Sequence, residues 1–278
     1  MTTLALQYEK TPPTADWQAR VARAFSRAAP RYDALATAQQ RIGEGLCQAL
    51  PASTPSVLDV GCGTGYWTQR LAGRYPDADV IGVDIAPGML AQAQQHPSRI
   101  DWRQGDAGAL PVERASVGLI FSNLALQWCP DIDAVMQEFS RVLAPDGRAI
   151  FTTLLDGTLE EIAFAWRRPE ALLAYKSPAH YRCAAEAAGL DIVQQEAHLE
   201  RFYYPDMPAV MASIKGVGAQ LSPPASRPAL TRRDVQAAAA RLETRRTPQG
   251  LPVSYRCLTL TLEQRPTSKQ RPTPERLP

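Results

Sequence analysis

The chain has 278 residues, of which 45% are hydrophobic and 21% are charged, and its formal net charge at pH 7 is +2. This composition is that of an ordinary globular protein and excludes the disordered and fibrous classes. The length is sufficient for one large α/β domain with insertions or for two small domains. The small net charge gives no indication of nucleic-acid binding.

The spacing of the cysteines and the lack of long apolar runs indicate the cellular compartment in which the protein is expected. The five cysteines are odd in number, widely spaced and without a CxxC pair, so the sequence predicts neither a disulfide framework nor a zinc site. No run of 18 apolar residues occurs, and the first residues do not have the pattern of an export signal. We therefore expect a cytoplasmic protein with no bound metal and no membrane partner.

The first half of the chain predicts helices followed by a Rossmann-like core. Residues 14–50 show apolar residues at helical spacing, interrupted at Pro30 and Pro51, and predict two helices. From Ser56 onward, short β-rich runs alternate with helical stretches at 65–74, 86–96 and 131–143. The β-rich runs are SVLDV, DVIGVD, IDWRQ, VGLIFS and RAIFTTLL. Such alternation predicts an α/β fold with a parallel, doubly wound sheet.

Beyond about residue 156 the pattern is less regular. We expect helices near 158–188, a pair of β-strands near 191–204, helices near 206–218 and 231–244, and a last strand in SYRCLTLTLE. The final stretch, QRPTSKQRPTPERLP, contains four prolines and almost no apolar residues. It predicts a disordered tail, because it lacks the apolar surface needed to become ordered.

The most informative motif is VLDVGCGTGYW, in which a buried strand containing Asp59 enters a loop with Gly61, Gly63 and Gly65. Glycine tolerates positive φ and has no Cβ, so such a loop lets the backbone approach a ligand closely. An NAD-type fingerprint would place its third glycine where Tyr66 stands. The GxGxG spacing after an acid instead resembles motif I of class I methyltransferases, although a tight turn without a ligand is the alternative.

Two further acids follow the next predicted strands. Asp84 ends DVIGVD, where an acid is placed to accept hydrogen bonds from both ribose hydroxyls of a nucleoside. Asp106 follows the third strand, where class I methyltransferases commonly contact the adenine amino group. Each alone is also explained as a surface or turn aspartate. Together with the glycine loop they predict binding of S-adenosyl-L-methionine at the carboxyl ends of the strands.

Six segments in the same order resemble the malonyl-acyl-carrier-protein O-methyltransferases of biotin synthesis, over roughly residues 24–262. They are AFSRAAPRYDALATAQQR, FSNLALQWCPD, TTLLDGTLEEIAFAW, FYYPDMPAVMASIKGVGA, LTRRDVQ and VSYRCLTL. The resemblance implies methylation of the free carboxylate of a malonyl group on acyl carrier protein, which masks its charge for chain elongation. Residues 167–190 and the tail depart from the pattern.

The resemblance also implies a class I methyltransferase sheet with N-terminal helices and a C-terminal substrate-cap insertion. We divide the chain into an N-terminal helical lid segment (1–50), a cofactor-binding Rossmann-like core (51–157), substrate-cap helices with the remaining core strands (158–263) and the tail (264–278).

Several residues outside the glycine loop are expected at the site. By resemblance, the segment ending at Tyr32 folds over the cofactor and brings the phenol near the reacting carboxylate, with a packing tyrosine as the alternative. Asn123, Gln127 and Trp128 follow the fourth strand and are expected beside the methionine part of the cofactor and the substrate channel. Lys215 is a candidate partner of the malonyl carboxylate, although a glycine-capped surface helix explains it almost as well. No general base is expected, because a carboxylate is already ionised at neutral pH.

Acyl carrier proteins are acidic, so a basic docking surface is expected. The candidates are Arg232, Arg233, Arg241, Arg245 and Arg246, with a solvated helix face as the default explanation. Three other functions stay open at this point. They are a small-molecule carboxyl methyltransferase such as one acting on trans-aconitate, a quinone C-methyltransferase, and a cofactor-binding module without catalysis.

Overall fold

The computed structural model describes residues 15–96, 99–169, 172–218 and 231–265. The described chain begins with helices α1 (Ala15–Ala28), α2 (Tyr32–Leu35) and α3 (Thr37–Glu44), with 3-10 turns at Ala29–Arg31 and Gly45–Ala49. The sequence predicted two helices here. The first ends at Ala28, because Pro30 cannot donate a helical hydrogen bond and disfavours the helical conformation in the residue before it. The second is divided at Ala36 into α2 and α3 and ends in the 3-10 turn at Gly45–Ala49.

Seven strands form one sheet. They are β1 (Ser56–Val60), β2 (Asp79–Asp84), β3 (Asp101–Gln104), β4 (Val117–Asn123), β5 (Leu143–Leu154), β6 (Leu190–Tyr204) and β7 (Leu251–Gln264). Their order is β3-β2-β1-β4-β5-β7-β6. The first five strands are parallel, and β7 runs antiparallel to both β5 and β6. The expected Rossmann-like sheet is confirmed, with an antiparallel pair at one edge.

The helices between and after these strands follow the predicted alternation closely. They are α4 (Tyr66–Arg74), α5 (Pro87–Ala93), α6 (Ile132–Val142), α7 (Glu160–Trp166), α8 (Pro178–Ala187), α9 (Met207–Lys215) and α10 (Arg232–Glu243). Several begin at a side-chain cap: Asp131 accepts from the N–H of Ala134, and Thr231 forms a capping box with Asp234. These caps satisfy N–H groups that have no partner inside the helix.

Both faces of the parallel half of the sheet are buried. Ile120 packs in a cluster with Phe139 of α6. Its neighbours Leu119 and Phe121 point to the opposite face and pack with Trp67 of α4. Alternate residues of one strand therefore enter two cores, which explains why β4 is a nearly continuous apolar run.

The C-terminal half builds a third apolar cluster against the antiparallel strands. Leu154 of β5 and Val253 of β7 pack there with Val210 of α9 and Leu242 of α10. Ile42 of α3 belongs to the same cluster. The N-terminal helices and the C-terminal half are thus joined by one hydrophobic core.

Two strand predictions were wrong in detail. Residues 190–204 form the single strand β6 rather than a pair of strands, because β6 is an edge strand that pairs along its length with β7 and tolerates polar side chains. The last strand begins at Leu251 and includes Gln264, the first residue of the expected tail. Residues 266–278 of that tail lie outside the described residues. No helix in the described ranges is long and apolar enough to span a bilayer.

Candidate active site

The carboxyl ends of the central parallel strands meet at one edge of the sheet. β1 lies between β2 and β4, so the strand order reverses beside it, and ligands of doubly wound folds bind at such a point. A cavity lies there, lined by the loops that follow β1 to β4 and by α1. A second compartment adjoins it and shares part of its lining. The shared residues are Tyr32, Gly61, Gly63 and Asn123.

The three glycines of the loop after β1 are required for different structural reasons. All have positive φ, at +74° for Gly61, +56° for Gly63 and +86° for Gly65. A Cβ on Gly61 would lie 2.2 Å from the Cβ of Ala125, and one on Gly65 would lie 2.5 Å from the ring of Trp102. A Cβ on Gly63 would meet nothing within 4 Å and would project into open space at a residue that lines both compartments. The loop leaves room for a ligand at Gly63, whereas its other two glycines serve packing.

Asp59 is buried at the end of β1, with 2% of its surface exposed. The hydroxyl of Thr68 donates to its Oδ2 at 2.6 Å, and burial raises the pKa of the carboxyl to about 7. Asp59 lines the second compartment. A buried carboxylate there favours a cationic ligand over a neutral one, because a positive charge offsets the desolvation of the carboxylate.

Asp84 joins two loops of the cavity. The backbone N–H groups of Gly63 and Ala86 donate to its two carboxylate oxygens, each at 2.8 Å. Burial raises the pKa of Asp84, and these hydrogen bonds act in the opposite direction. Each oxygen keeps a further lone pair, so the carboxylate can also accept hydrogen bonds from ribose hydroxyls.

Asp106 lines the same cavity after β3. The N–H of Gly108 donates to its Oδ1 at 3.0 Å, and the side-chain amide of Gln18 donates to its Oδ2. Gln18 belongs to α1, so the N-terminal helix reaches the acid that was expected at the adenine end of the cofactor.

Tyr32 stands where the two compartments meet. Burial is the main reason that its pKa lies well above the ordinary value, and the carboxylates of Asp84 and Asp33 raise it further. The phenol is therefore protonated at physiological pH. It can donate a hydrogen bond to an anion and cannot act as a base.

The second compartment contains buried polar atoms without a hydrogen-bond partner among the described residues. They are Oε1 of Gln39, Nε1 of Trp67 and Oδ1 of Asn123, and all three residues line the compartment. Buried polar groups are normally paired, so such atoms indicate a missing ligand. Two acceptors and one donor beside the buried carboxylate of Asp59 fit a ligand that has both an ammonium and a carboxylate group. The amino-acid end of S-adenosylmethionine has this chemistry.

The N-terminal helices close over both compartments through contacts distributed along their length. Ring stacking joins Trp17 to Trp128 at 6.5 Å between centroids, and the hydroxyl of Thr64 donates to Asp33 at 2.5 Å. Further contacts connect Trp17 with the carbonyl of Trp128, Gln18 with Asp106, Gly88 with Ser26, and Asn123 with the carbonyl of Gln39. Residues 17–40 therefore cover both compartments, and we call this segment the lid.

The loop after β4 carries the expected polar residues, but on different sides. Asn123 and Trp128 line the cavity. Gln127 is buried and not part of the lining: its Nε2 donates to the carbonyl of Leu124 at 2.6 Å, and its Oε1 accepts from Thr153 at 3.4 Å. Leu124 lines the cavity with a positive φ of +53°. Gln127 supports the cavity wall through Leu124 instead of facing the channel.

Lys215 is not brought to either compartment. It is exposed at the end of α9, whose buried side is formed by Met207, Val210, Ser213 and Ile214. The glycine that follows it serves packing, since a Cβ on Gly216 would lie 2.2 Å from Leu35 of the lid. The spacing of glycines in SIKGVGA thus reflects contact with the lid. No Lys, Arg or His of the described residues lines either compartment.

Sequence reasoning missed the cavity residues of α1, which are Gln18, Val21 and Phe25. Their spacing marks one face of a helix, but such a stripe is more often core than binding site. It also did not single out Gln39 and Trp67 as site residues, although both lie within the quoted segments AFSRAAPRYDALATAQQR and VLDVGCGTGYW. Within the described ranges, no group of three or more His, Cys, Asp or Glu residues is placed to hold a metal ion.

Comparisons with known proteins agree with this geometry. A family model described as a methyltransferase domain matches residues 57–147. The solved structure of a geranyl diphosphate methyltransferase in complex with sinefungin has a TM-score of 0.57, at 15% identity, covering 89% of this chain and 99% of that one. The fold and the site define an S-adenosylmethionine-dependent methyltransferase of class I.

The malonyl-[acyl-carrier protein] O-methyltransferase of Dechloromonas aromatica is 36% identical over 243 residues, which is 86% of this chain and 91% of that protein. The chain belongs to the malonyl-[acyl-carrier protein] O-methyltransferase family, which confirms the resemblance seen in its motifs. The biotin biosynthesis bifunctional protein BioHC of Cellvibrio japonicus is 38% identical over 262 residues. The match covers 92% of this chain but only 52% of that bifunctional protein.

Proposed function

We propose that the chain transfers a methyl group from S-adenosylmethionine to the free carboxylate of a malonyl group held as a thioester on acyl carrier protein, giving the methyl ester that starts pimeloyl chain assembly in biotin synthesis. The observation that carries the proposal is the pair of adjoining compartments that meet at Tyr32, in a chain that belongs to this family. The five free cysteines fit the reducing cytoplasm, in which we propose that it works.

The residues divide between the two ends of the cofactor. Asp84 and Asp106 would hold the ribose and adenine in the larger compartment. Asp59 would hold the cationic end from the second compartment, together with the unpaired acceptors of Asn123 and Gln39. Gly63 would leave the space through which the cofactor passes between the two.

When bound, the cofactor supplies a sulfonium methyl group, to which a carboxylate oxygen forms a bond as the carbon–sulfur bond breaks and its electron pair passes to sulfur. No proton is transferred, so the chain needs no general base. The titratable side chains of the larger cavity are Tyr32, Asp84, Asp106 and Cys129, and the proposal gives none of them the role of a base. The pKa of the Cys129 thiol is raised to about 12, chiefly by burial, so this group is also protonated.

Positioning and exclusion of water then provide the rate enhancement. The neutral phenol of Tyr32 would donate a hydrogen bond to the carboxylate and hold one oxygen towards the cofactor. Trp128 and Phe25, which both line the cavity, pack edge to face at 5.4 Å between ring centroids and would help to exclude water from it. A carboxylate that has lost its hydration shell is a stronger nucleophile than one in water.

Lys215 lies outside the cavity, so another group must compensate the charge of the substrate. Lys176 meets the cavity wall, where its ammonium group donates to the carbonyl of Cys129 at 2.8 Å. Burial lowers the pKa of Lys176. Lys176 does not line either compartment itself, but it is bonded to a residue that does, and we propose it in place of Lys215 as the cation that compensates the substrate carboxylate.

The test is methyl transfer from radiolabelled S-adenosylmethionine to malonyl-acyl carrier protein, with malonyl-coenzyme A, succinyl-acyl carrier protein and trans-aconitate in parallel. We expect label in the malonyl thioester and little in succinyl-acyl carrier protein. Label in trans-aconitate alone would replace the proposed substrate with a small acid. Cofactor binding without transfer to any of the four would reject the catalytic proposal.

A further inference from the structure

The first turn of the lid helix α1 is held over the cavity by two neighbouring side chains. Nε1 of Trp17 donates to the carbonyl of Trp128 at 3.1 Å, and the two rings stack. The side-chain amide of Gln18 donates to Oδ2 of Asp106. This turn therefore bridges the loops after β3 and β4, which holds Gln18 in a defined position on the cavity wall.

The contact with Asp106 determines which way the amide of Gln18 faces. The oxygens of an ionised carboxylate only accept hydrogen bonds, so the amide turns its NH2 group to Asp106 and its Oε1 away from it. None of the described residues donates a hydrogen bond to this Oε1. Because Gln18 lines the cavity, a ligand there can use an acceptor that the described part of the chain leaves unused.

Asp106 and Gln18 present two acceptors side by side. Nε2 and Oε1 of one amide are about 2.3 Å apart, so Oε1 of Gln18 lies within about 5 Å of Oδ2 of Asp106. A nitrogen between these two oxygens can be at the ordinary hydrogen-bond distance of about 2.9 Å from both. The amino group of adenine has two N–H donors on one nitrogen, which matches such a pair of acceptors.

We propose that Gln18 determines specificity for the base of the cofactor by accepting the second N–H of the adenine amino group, beside Asp106. The inference rests on the proposed function, which puts the adenine at Asp106. Hypoxanthine has a carbonyl at this position, which would face two acceptors and give neither of them a donor. Because Gln18 belongs to the lid, its hydrogen bond to the base forms only while the lid covers the cavity. One residue thus connects recognition of the base with closure of the lid.

The test measures the binding of two ligands that differ only in the base. Calorimetry gives the Kd of S-adenosylhomocysteine and of S-inosylhomocysteine for the unaltered chain, Gln18→Met and Asp106→Asn. Methionine has nearly the length of glutamine but no amide. Gln18→Ala is a second variant, in case methionine disturbs the contacts of the first turn. The matched control is Gln69→Met, at a half-buried glutamine of α4 that lines neither compartment.

We expect the unaltered chain and Gln69→Met to prefer the adenine ligand by about a hundredfold or more. Both Gln18 variants should lower this preference by about five- to tenfold, as for the loss of one hydrogen bond, and chiefly by weaker binding of the adenine ligand. Asp106→Asn should lower it at least as much, because an amide can also donate to the carbonyl of hypoxanthine.

Three results would overturn the role of Gln18 in recognising the base. Equal loss of affinity for both ligands in the Gln18 variants would leave it only a packing role. Tighter binding of the adenine ligand would show that Gln18 competes with the base. An unchanged preference in these variants, with a lost preference in Asp106→Asn, would keep the base at Asp106 without Gln18. If Asp106→Asn retains the full preference, the proposed position of the adenine fails first, and the role of Gln18 with it.

Discussion

The hydroxyl of Thr68 donates a hydrogen bond of 2.6 Å to Oδ2 of Asp59, at the point where β1 enters the glycine loop. This bond favours the ionised carboxylate, yet burial outweighs it and raises the pKa of Asp59 to about 7 from 3.8. The folded chain thus holds a proton on Asp59 over a range of pH in which the unfolded chain does not. A cationic ligand would release that proton.

The first prediction concerns the pH dependence of stability and cofactor affinity. Because the pKa of Asp59 is higher in the folded state, its contribution to stability is lost as pH rises from about 4 to about 7 and is constant above that. Asp59→Asn removes this titration while keeping an acceptor for Thr68. We expect the difference in free energy of unfolding between the variant and the unaltered chain to grow in favour of the variant by a few kcal/mol over this range.

Denaturant unfolding of the cofactor-free chain at several pH values measures this difference. Cofactor affinity should show the opposite slope, because a cation binds best to ionised Asp59: the Kd should fall as pH rises through about 7 in the unaltered chain, and Asp59→Asn should bind weakly at every pH. Parallel unfolding curves for the two proteins would contradict the assigned pKa.

The second prediction isolates the ligand space at Gly63. Gly63→Val places a branched side chain at a φ of +56° in open space at the cavity, and Gly189→Val does the same at a φ of +80° outside the site. Both should lose about 1–2 kcal/mol of stability, since side chains rarely adopt this conformation. Only Gly63→Val should abolish cofactor binding in calorimetry. Normal binding by a folded Gly63→Val would remove the loop from the site.

The parallel half of the fold was predictable because its information is local. The strands β1, β2 and β4 are short apolar runs, each followed by a helical pattern, and the acids at the strand ends follow from the geometry of parallel sheets. The edge strand β6 was not predictable in the same way. Its polar middle residues suggest a break, and only pairing with β7, which lies about 50 residues further on, makes it continuous.

The candidate site also consists of residues that sequence motifs predict and residues that only the folded chain brings together. Gly63, Asp84 and Asp106 come from motifs, and the structure places all three on the cavity wall. The contact between Gln18 and Asp106 joins residues 88 positions apart, so no sequence pattern indicates it. Lys215 was predicted at the site because glycines follow it in the sequence. Whether its side chain reaches the site depends on which face of α9 is buried. Such directions are set by tertiary packing and not by spacing alone.

The third prediction separates the role of Tyr32 in turnover from a role in binding. Tyr32→Phe removes the phenol that would hold the carboxylate, and we expect kcat to fall about tenfold, as for the loss of one hydrogen bond to a charged group. The Kd of the cofactor should be nearly unchanged. The control is Tyr75→Phe, which removes a hydroxyl bonded to the carbonyl of Pro51 at 2.7 Å and should lower stability without changing kcat. Unchanged kcat in Tyr32→Phe would place Tyr32 among the packing residues.

The last prediction concerns the support of the cavity wall behind Leu124. Gln127 donates to the carbonyl of Leu124 and accepts from Thr153, whose hydroxyl is also 3.0 Å from that of Tyr181. Gln127→Leu leaves the carbonyl of Leu124 without this donor and removes one of the two partners of Thr153, which should lower the free energy of unfolding by about 1–3 kcal/mol. Because Leu124 is held at a positive φ, we also expect the wall to relax and kcat to fall, although Gln127 touches no ligand.

Urea unfolding and steady-state kinetics on the same preparations measure both effects. The matched substitution Gln195→Leu lies at an exposed position of β6 and should change stability by no more than about 0.5 kcal/mol. A variant at position 127 that loses stability but keeps kcat and KM would show that Leu124 holds its conformation unaided. A loss of kcat at urea concentrations well below the unfolding transition would have a different meaning. It would show that the hydrogen bonds linking Tyr181, Thr153, Gln127 and Leu124 position the cavity wall beside the reacting substrate.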